Sequence, residues 1–106
     1  MALFAVTDYI SKLLADFGGY SPYMIEMHHC HKLDAPSGTA KTLADIVDAN
    51  MDVHTDIQSV RCGEIPGIHT IGFEGLNDRI TLSPTIKLRS WNSTMPSWPP
   101  PNAVSR

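Results

Sequence analysis

The chain has 106 residues, 42% of them hydrophobic and 18% charged, with a formal net charge of −3. That suits one small domain with a packed core, which buries so modest a share of its surface that it can lean on a partner subunit. The charge leaves no electrostatic footprint for nucleic acid or an anionic membrane, and no apolar run approaches the length of a membrane span.

Leu3, Val6, Ile10, Leu13, Leu14 and Phe17 recur at three- and four-residue steps. That spacing predicts a helix over about residues 2–17 with these side chains as its buried face. Asp8 and Lys12 lie within this pattern, which is unlike the basic start and apolar stretch of a signal peptide. No cap precedes the helix, as expected of an excised segment. Gly18-Gly19 ends it, because glycine tolerates the left-handed conformation that follows a helix. Residues 23–29 alternate as a strand, with Tyr23, Ile25 and Met27 on one side and Met24, Glu26 and His28 on the other. A loop covers 30–36. Ser37 is the expected N-cap of a second helix running to about Ala49, with Leu43, Ile46 and Val47 as its buried stripe. Residues 57–61 form a short strand, 63–67 a turn, and 68–74 an alternating strand. Residues 75–78 turn into a hairpin partner at 79–83. The fold class is α+β, a mixed sheet of about four strands with two helices.

Cys30 and Cys62 lie far apart with no C-x-x-C pairing, which suits a cytosolic chain with free thiols better than a disulfide. Residues 90–106 carry four of the eight prolines and both tryptophans. The prolines break helix and sheet alike, so the expected organisation is one domain over 1–89 and a poorly ordered tail over 90–106.

The densest chemistry lies at residues 28–40, HHCHKLDAPSGTA. His28, Cys30 and His31 are zinc-ligand types, with His54 and His69 in reserve. The spacing argues against zinc, because neighbours on a strand diverge and no second ligand pair returns at a structural-zinc interval. An acid–base reading fits better. Histidine gives and takes protons near neutrality, and Lys32 can hold an anion or donate a proton. Ser37-Gly38-Thr39 opens a helix whose free N–H groups and positive dipole end receive an anion. Such a pocket suits a small carboxylate or a phosphate; the physics leaves both open. Plain readings stand beside these. Ser37 as a simple cap is the better reading for that residue taken alone. Asp34 can merely shape the turn. Glu26 can be a solvated face or the partner of Lys32, and Cys30 a passive small side chain.

Glu26-Met27-His28-His29-Cys30-His31-Lys32-Leu33-Asp34-Ala35-Pro36-Ser37-Gly38-Thr39-Ala40 resembles the signature E-x-H-H-x-x-K-x-D-A-P-S-G-T-A of the dihydrodipicolinate reductases, also called 4-hydroxy-tetrahydrodipicolinate reductases. Every fixed position is met. Arg61-Cys62-Gly63 with Pro66-Gly67-Ile68-His69 resembles the family's R-x-G…G-x-H segment, and Arg79-Ile80-Thr81-Leu82 its next strand. The resemblance covers about residues 3–83, plus Arg89, and corresponds to the C-terminal substrate-binding and tetramerisation domain. It implies that His28 is the general acid/base and that Lys32 donates a proton and holds substrate. It also implies that His29 contacts one carboxylate of a small dicarboxylate substrate, and that Ser37, Gly38 and Thr39 receive the other. Arg89 matches a substrate-binding arginine more weakly. The family is cytoplasmic and homotetrameric, and reduces its substrate with NADPH or NADH in lysine and diaminopimelate biosynthesis. The Rossmann domain that precedes this segment in the family has no counterpart here, and no G-x-G-x-x-G occurs. The expectation is therefore a fragment without turnover of its own. Two other readings are a non-catalytic assembly domain and a small metal-binding protein using His28, Cys30 and His31.

Pro84 stands where the family has histidine, and the aliphatic helix that follows in the family is absent from this sequence. Pro84 is also unusual at a strand end, since proline removes a ladder donor. Met, Trp and Pro have constrained codons. Reading Met95 to Asn102 from the last base of the Met95 codon gives alanine first and, if Ser97 is TCN, two aliphatic or Phe residues followed by alanines, a frame such as A-V-L-A-A-A-E. The tail from about Pro84 is thus expected to be a frame-shifted reading. Encoding DNA whose shifted frame lacks a helix-like continuation would exclude this.

Overall fold

The computed structural model describes residues 2–84. Its elements are α1 (Ala2–Phe17), β1 (Ser21–His28), α2 (Gly38–Met51), β2 (Ile57–Arg61), β3 (Ile68–Glu74) and β4 (Arg79–Leu82). Each element expected from the sequence is present. β1 starts at Ser21 instead of Tyr23 and releases His29, and α2 runs on to Met51. Arg89 and the whole 90–106 tail lie outside the described residues, as do its expected disorder and its reading frame.

β1 sits in the middle of the sheet. It pairs in parallel with β2 and antiparallel with β3, and β3 continues into the β4 hairpin, giving the order β2-β1-β3-β4. This is the expected mixed α+β sheet. α2 is the crossover that lets β1 and β2 run parallel. One face of the sheet meets the helices. Met24, Ile71 and Phe73 from the strands pack with Leu14 from α1 and with Ala40, Leu43, Ala44 and Val47 from α2. Ile46, expected in the stripe, is half-buried. Burying one large aliphatic or aromatic side chain contributes about 1.5–3 kcal/mol, so this cluster carries the apolar stabilisation. On the other face, Tyr23 of β1 lies across Gly72, its register partner on β3; a Cβ at Gly72 would overlap the Tyr23 ring.

α1 departs from expectation in which face it buries. Thr7, Ser11 and Leu14 are its buried residues. Val6, Leu13 and Phe17, expected inside, are 47%, 40% and 75% exposed. Small side chains let α1 approach α2 closely, and their hydroxyls need no outside partner. Thr7 Oγ1 donates to the Leu3 carbonyl and Ser11 Oγ to the Thr7 carbonyl, both at 2.7 Å. Asn50 of α2 completes the seam by donating to Asp8 Oδ1 and Ser11 Oγ, each at 2.9 Å. Polar satisfaction inside a helix–helix seam outweighed the apolar count.

Candidate active site

β1, the loop after it and the start of α2 carry the signature, and β2 and β3 flank them. Alternation along β1 turns Glu26 and His28 to the same side as Met24, toward the helix-covered face. Glu26 is fully buried. This corrects the expectation of a solvated carboxylate or a partner for Lys32. A buried carboxylate needs a cation, and Arg61 at the end of β2 supplies it, with Nη1 2.9 Å from Oε2. That contact is an ion pair off the line of a hydrogen bond. The other oxygen, Oε1, lies 2.6 Å from His28 Nδ1. Burial pushes the Glu26 carboxyl up, but the neighbouring Ser59, Arg61 and His28 side chains outweigh it and hold the group below the ordinary glutamate range. Ser59 is the register partner of Glu26 on β2.

Arg61 reaches further. It donates to its neighbour's carbonyl at Val60, 2.9 Å away, and through Nη2 to the Asp34 carbonyl at 2.5 Å. The loop that Arg61 grips also holds Lys32, whose Nζ lies 3.0 Å from Asp34 Oδ1. The Lys32 ammonium lowers the Asp34 carboxyl pKa, first through that hydrogen bond. Asp34 therefore does more than shape the turn.

His69 on β3 ties the third piece in. It is fully buried, and its ring lies edge-on to that of His28 with centroids 5.3 Å apart. Its Nε2 is 3.2 Å from Ser37 Oγ, which also accepts from Ala40 N at 3.1 Å. Ser37 is thus the expected N-cap and, in addition, an anchor of the helix start to the sheet. Burial lowers the His69 pKa, and the charges of His28 and Lys32 push it the same way against Glu26. Gly38 and Thr39 form the first turn of α2, and a Cβ at Gly38 would meet open space, so a ligand can approach the helix start closely. His29 leaves the strand with its Nδ1 buried and unpartnered, its ring tilted over that of His31 at 5.7 Å.

Of the residues expected in the site, His28, Lys32, Ser37, Gly38 and Thr39 converge on this corner, with His29 beside them. Glu26, Arg61 and His69 were not among the site residues expected from sequence. Glu26 carried a signal, since it shares the period-two face of Met24 and His28. Arg61 matched the R-x-G segment, but its pairing with Glu26 had no signal, because parallel pairing across a helix leaves no local trace. The trio His28, Cys30 and His31 does not form one ligand cluster. Among the described residues, His28 groups with Glu26 and His69, and Cys30 and His31 group with Glu64 on the exposed surface. Arg61 against Glu26 opposes a cation in the first group. Cys30 and Cys62 are free and exposed. The described residues contain no glycine-rich strand-to-helix turn that would cradle a dinucleotide, and no helix among them is long and apolar enough to cross a membrane.

Residues 1–92 match the family described as dihydrodipicolinate reductase, C-terminus. The chain is 38% identical over 77 residues to 4-hydroxy-tetrahydrodipicolinate reductase of Xanthomonas campestris pv. campestris, covering 73% of this chain and 32% of that protein. It is 34% identical over 98 residues to the enzyme of the same name from Methanocaldococcus jannaschii, covering 76% and 35%. Among solved structures it resembles a dipicolinate-bound dihydrodipicolinate reductase from Paenisporosarcina sp. TG-14, with TM-score 0.67 and 26% identity over 77% of this chain and 38% of that one. The chain spans about a third of the length of the curated relatives it matches.

The two buried shifted groups, His69 and Glu26, predict acid sensitivity of the same sign. The unfolded chain protonates His69 near its ordinary value of 6.5 while the folded chain resists, so stability falls as pH drops below about 6.5. Glu26 is held below its ordinary 4.5, so its contribution is present above that pH and lost as pH falls through the lower folded value. Denaturant midpoints measured across pH should decline in two stages, and His69→Gln should remove the upper stage alone. A flat profile from neutral to about pH 4.5 would contradict the burial of His69, and a profile without further decline below that pH would contradict the ion-paired state of Glu26.

Proposed function

The chain belongs to the dihydrodipicolinate reductase C-terminal family, and from that premise we propose that it is the substrate-binding, proton-donating part of a 4-hydroxy-tetrahydrodipicolinate reductase. The reaction is reduction of the substrate to tetrahydrodipicolinate with NADPH or NADH, in cytoplasmic lysine and diaminopimelate biosynthesis. The observation that carries the proposal is the convergence of the signature residues on one corner. His28 is fixed by Glu26, Lys32 sits on a gripped loop, and the start of α2 is anchored through Ser37 and His69.

The roles follow from what each group can do. The N–H groups of Gly38 and Thr39 point out of the helix start and receive one carboxylate, with the Ser37 and Thr39 hydroxyls beside them. His29 and Lys32 hold the other. His28 is the acid/base, placed so that a proton is delivered once the ring is oriented. Lys32 has only to exchange its exposed partner Asp34 for a substrate carboxylate. Arg89 adds a further carboxylate contact. Hydride chemistry is the cofactor's, and the residues that would bind the dinucleotide belong to the remaining two thirds of such a protein. Supporting the substrate class, the Paenisporosarcina structure is described as dipicolinate-bound.

A second reading, assembly without catalysis, is favoured by the sheet face away from the helices. Tyr23, Ile25, Met27 and Ile68 there are only half-buried, and Val60 is 37% exposed. Sheet-to-sheet association into a homotetramer would cover them. Light scattering should then give a particle larger than one chain, and a stable monomer would exclude it.

Calorimetric titration with pyridine-2,6-dicarboxylate should show binding. His29→Ala and Lys32→Ala should each weaken it roughly 10- to 100-fold, the loss expected for a charged hydrogen bond of about 1.5–3 kcal/mol. Absence of binding, or wild-type affinity in both variants, would overturn the proposed pocket.

A further inference from the structure

The contacts around His28 say more than that it is an acid/base. The Glu26 carboxylate is buried and faced by the Arg61 guanidinium at 2.9 Å. An ionised carboxylate only accepts hydrogen bonds. Its Oε1 lies 2.6 Å from His28 Nδ1, so the hydrogen there is on the imidazole. A neutral His28 then carries its hydrogen on Nδ1 and presents a bare Nε2. That nitrogen lies beside Gly67, where a Cβ would stand only 3.1 Å away. The glycine keeps room at the nitrogen that is free to exchange.

We propose that Glu26 and Arg61 are positioning residues that hold His28 as the Nδ1–H tautomer, leaving Nε2 as the nitrogen that takes and gives the proton. The proposal deepens the reading of His28 as the acid/base and rests on it. Arg61 plays two parts. It keeps Glu26 ionised, and through the Asp34 carbonyl it fixes the loop that carries Lys32. The fixed imidazole and the lysine are therefore braced by one guanidinium. Arg61 offers donors and no acceptor. In Glu26→Gln the amide oxygen must therefore turn to Arg61, and the amide NH₂ must face His28 Nδ1. That nitrogen would then have to accept, and the hydrogen would move to Nε2. One substitution should invert the tautomer without removing a single heavy atom from the site.

Long-range ¹H–¹⁵N correlation spectra of the full chain, in mildly alkaline solution and without ligand, read the tautomer directly. The His28 signals are assigned by their loss in His28→Gln. The wild type should show a protonated Nδ1 and an unprotonated Nε2, and Glu26→Gln should reverse the two. A wild-type Nε2–H tautomer overturns the proposal, and so does a Glu26→Gln variant that keeps Nδ1–H. If Glu26→Gln does not fold, the wild-type spectrum decides alone. Because no ligand is present, the result stands apart from dicarboxylate binding. Failure of the pocket and failure of the tautomer are therefore distinguishable.

Discussion

A carboxylate without solvent, held by one guanidinium, is the constraint on which this corner of the fold depends. Desolvating Glu26 is costly, and Arg61 offsets that cost only in one geometry. The geometry requires β2 to run parallel to β1 with Ser59 opposite Glu26 and Arg61 opposite His28. A slip of one residue on β1 would turn Glu26 and His28 to the outer face and bring Tyr23, Ile25 and Met27 inward. Removing Arg61 would leave the buried Glu26 charge uncompensated, at a cost of about 3–5 kcal/mol. The register of the sheet and the orientation of His28 thus have the same cause.

The helix start is bound to that arrangement by a second polar link. Ser37 Oγ accepts from the Ala40 N–H as any N-cap would, and the same oxygen meets His69 Nε2. Capping and anchoring share one hydroxyl, so the plain reading of Ser37 and the functional one are not rivals. Met24, Leu43, Val47, Ile71 and Phe73 press α2 onto the sheet, while the Ser37–His69 contact fixes the helix start against β3. Apolar packing has no direction along a helix axis; a hydrogen bond does.

The elements were legible because their signals are local. Period-two alternation in β1 and β3, the Ser37 cap and the Gly18-Gly19 stop are each contained within a few residues. The signature was legible because strand, turn and helix start are contiguous in the chain, so one stretch of sequence carries most of the corner. What escaped is what comes from elsewhere. Nothing near Glu26 indicates that Arg61, on the far side of α2, will neutralise it. Nothing in the apolar count of α1 indicates that Thr7 and Ser11 will form the seam, since their suitability lies in small size and self-satisfied hydroxyls. His69 was visible as a histidine on an alternating strand, but its contact with Ser37 depends on how β3 pairs with β1.

The two proposed proton-handling groups are held by bonds of different kinds, and the difference bears on how they work. His28 leans on Glu26, whose side chain is wholly buried; the ring itself is 13% exposed, so water cannot replace the bond. Lys32 leans on Asp34, a partner more than half exposed, in a pair that solvent screens. The first contact should persist when an anion enters, and the second should be given up for it. A fixed imidazole keeps its aim and a loosely held ammonium follows the charge of an entering anion, as the proposed dicarboxylate would need to enter, be clamped and leave. Arg61 reconciles the two. It holds the backbone carbonyl of Asp34 and not its side chain, so the loop stays in place while the Lys32–Asp34 pair opens.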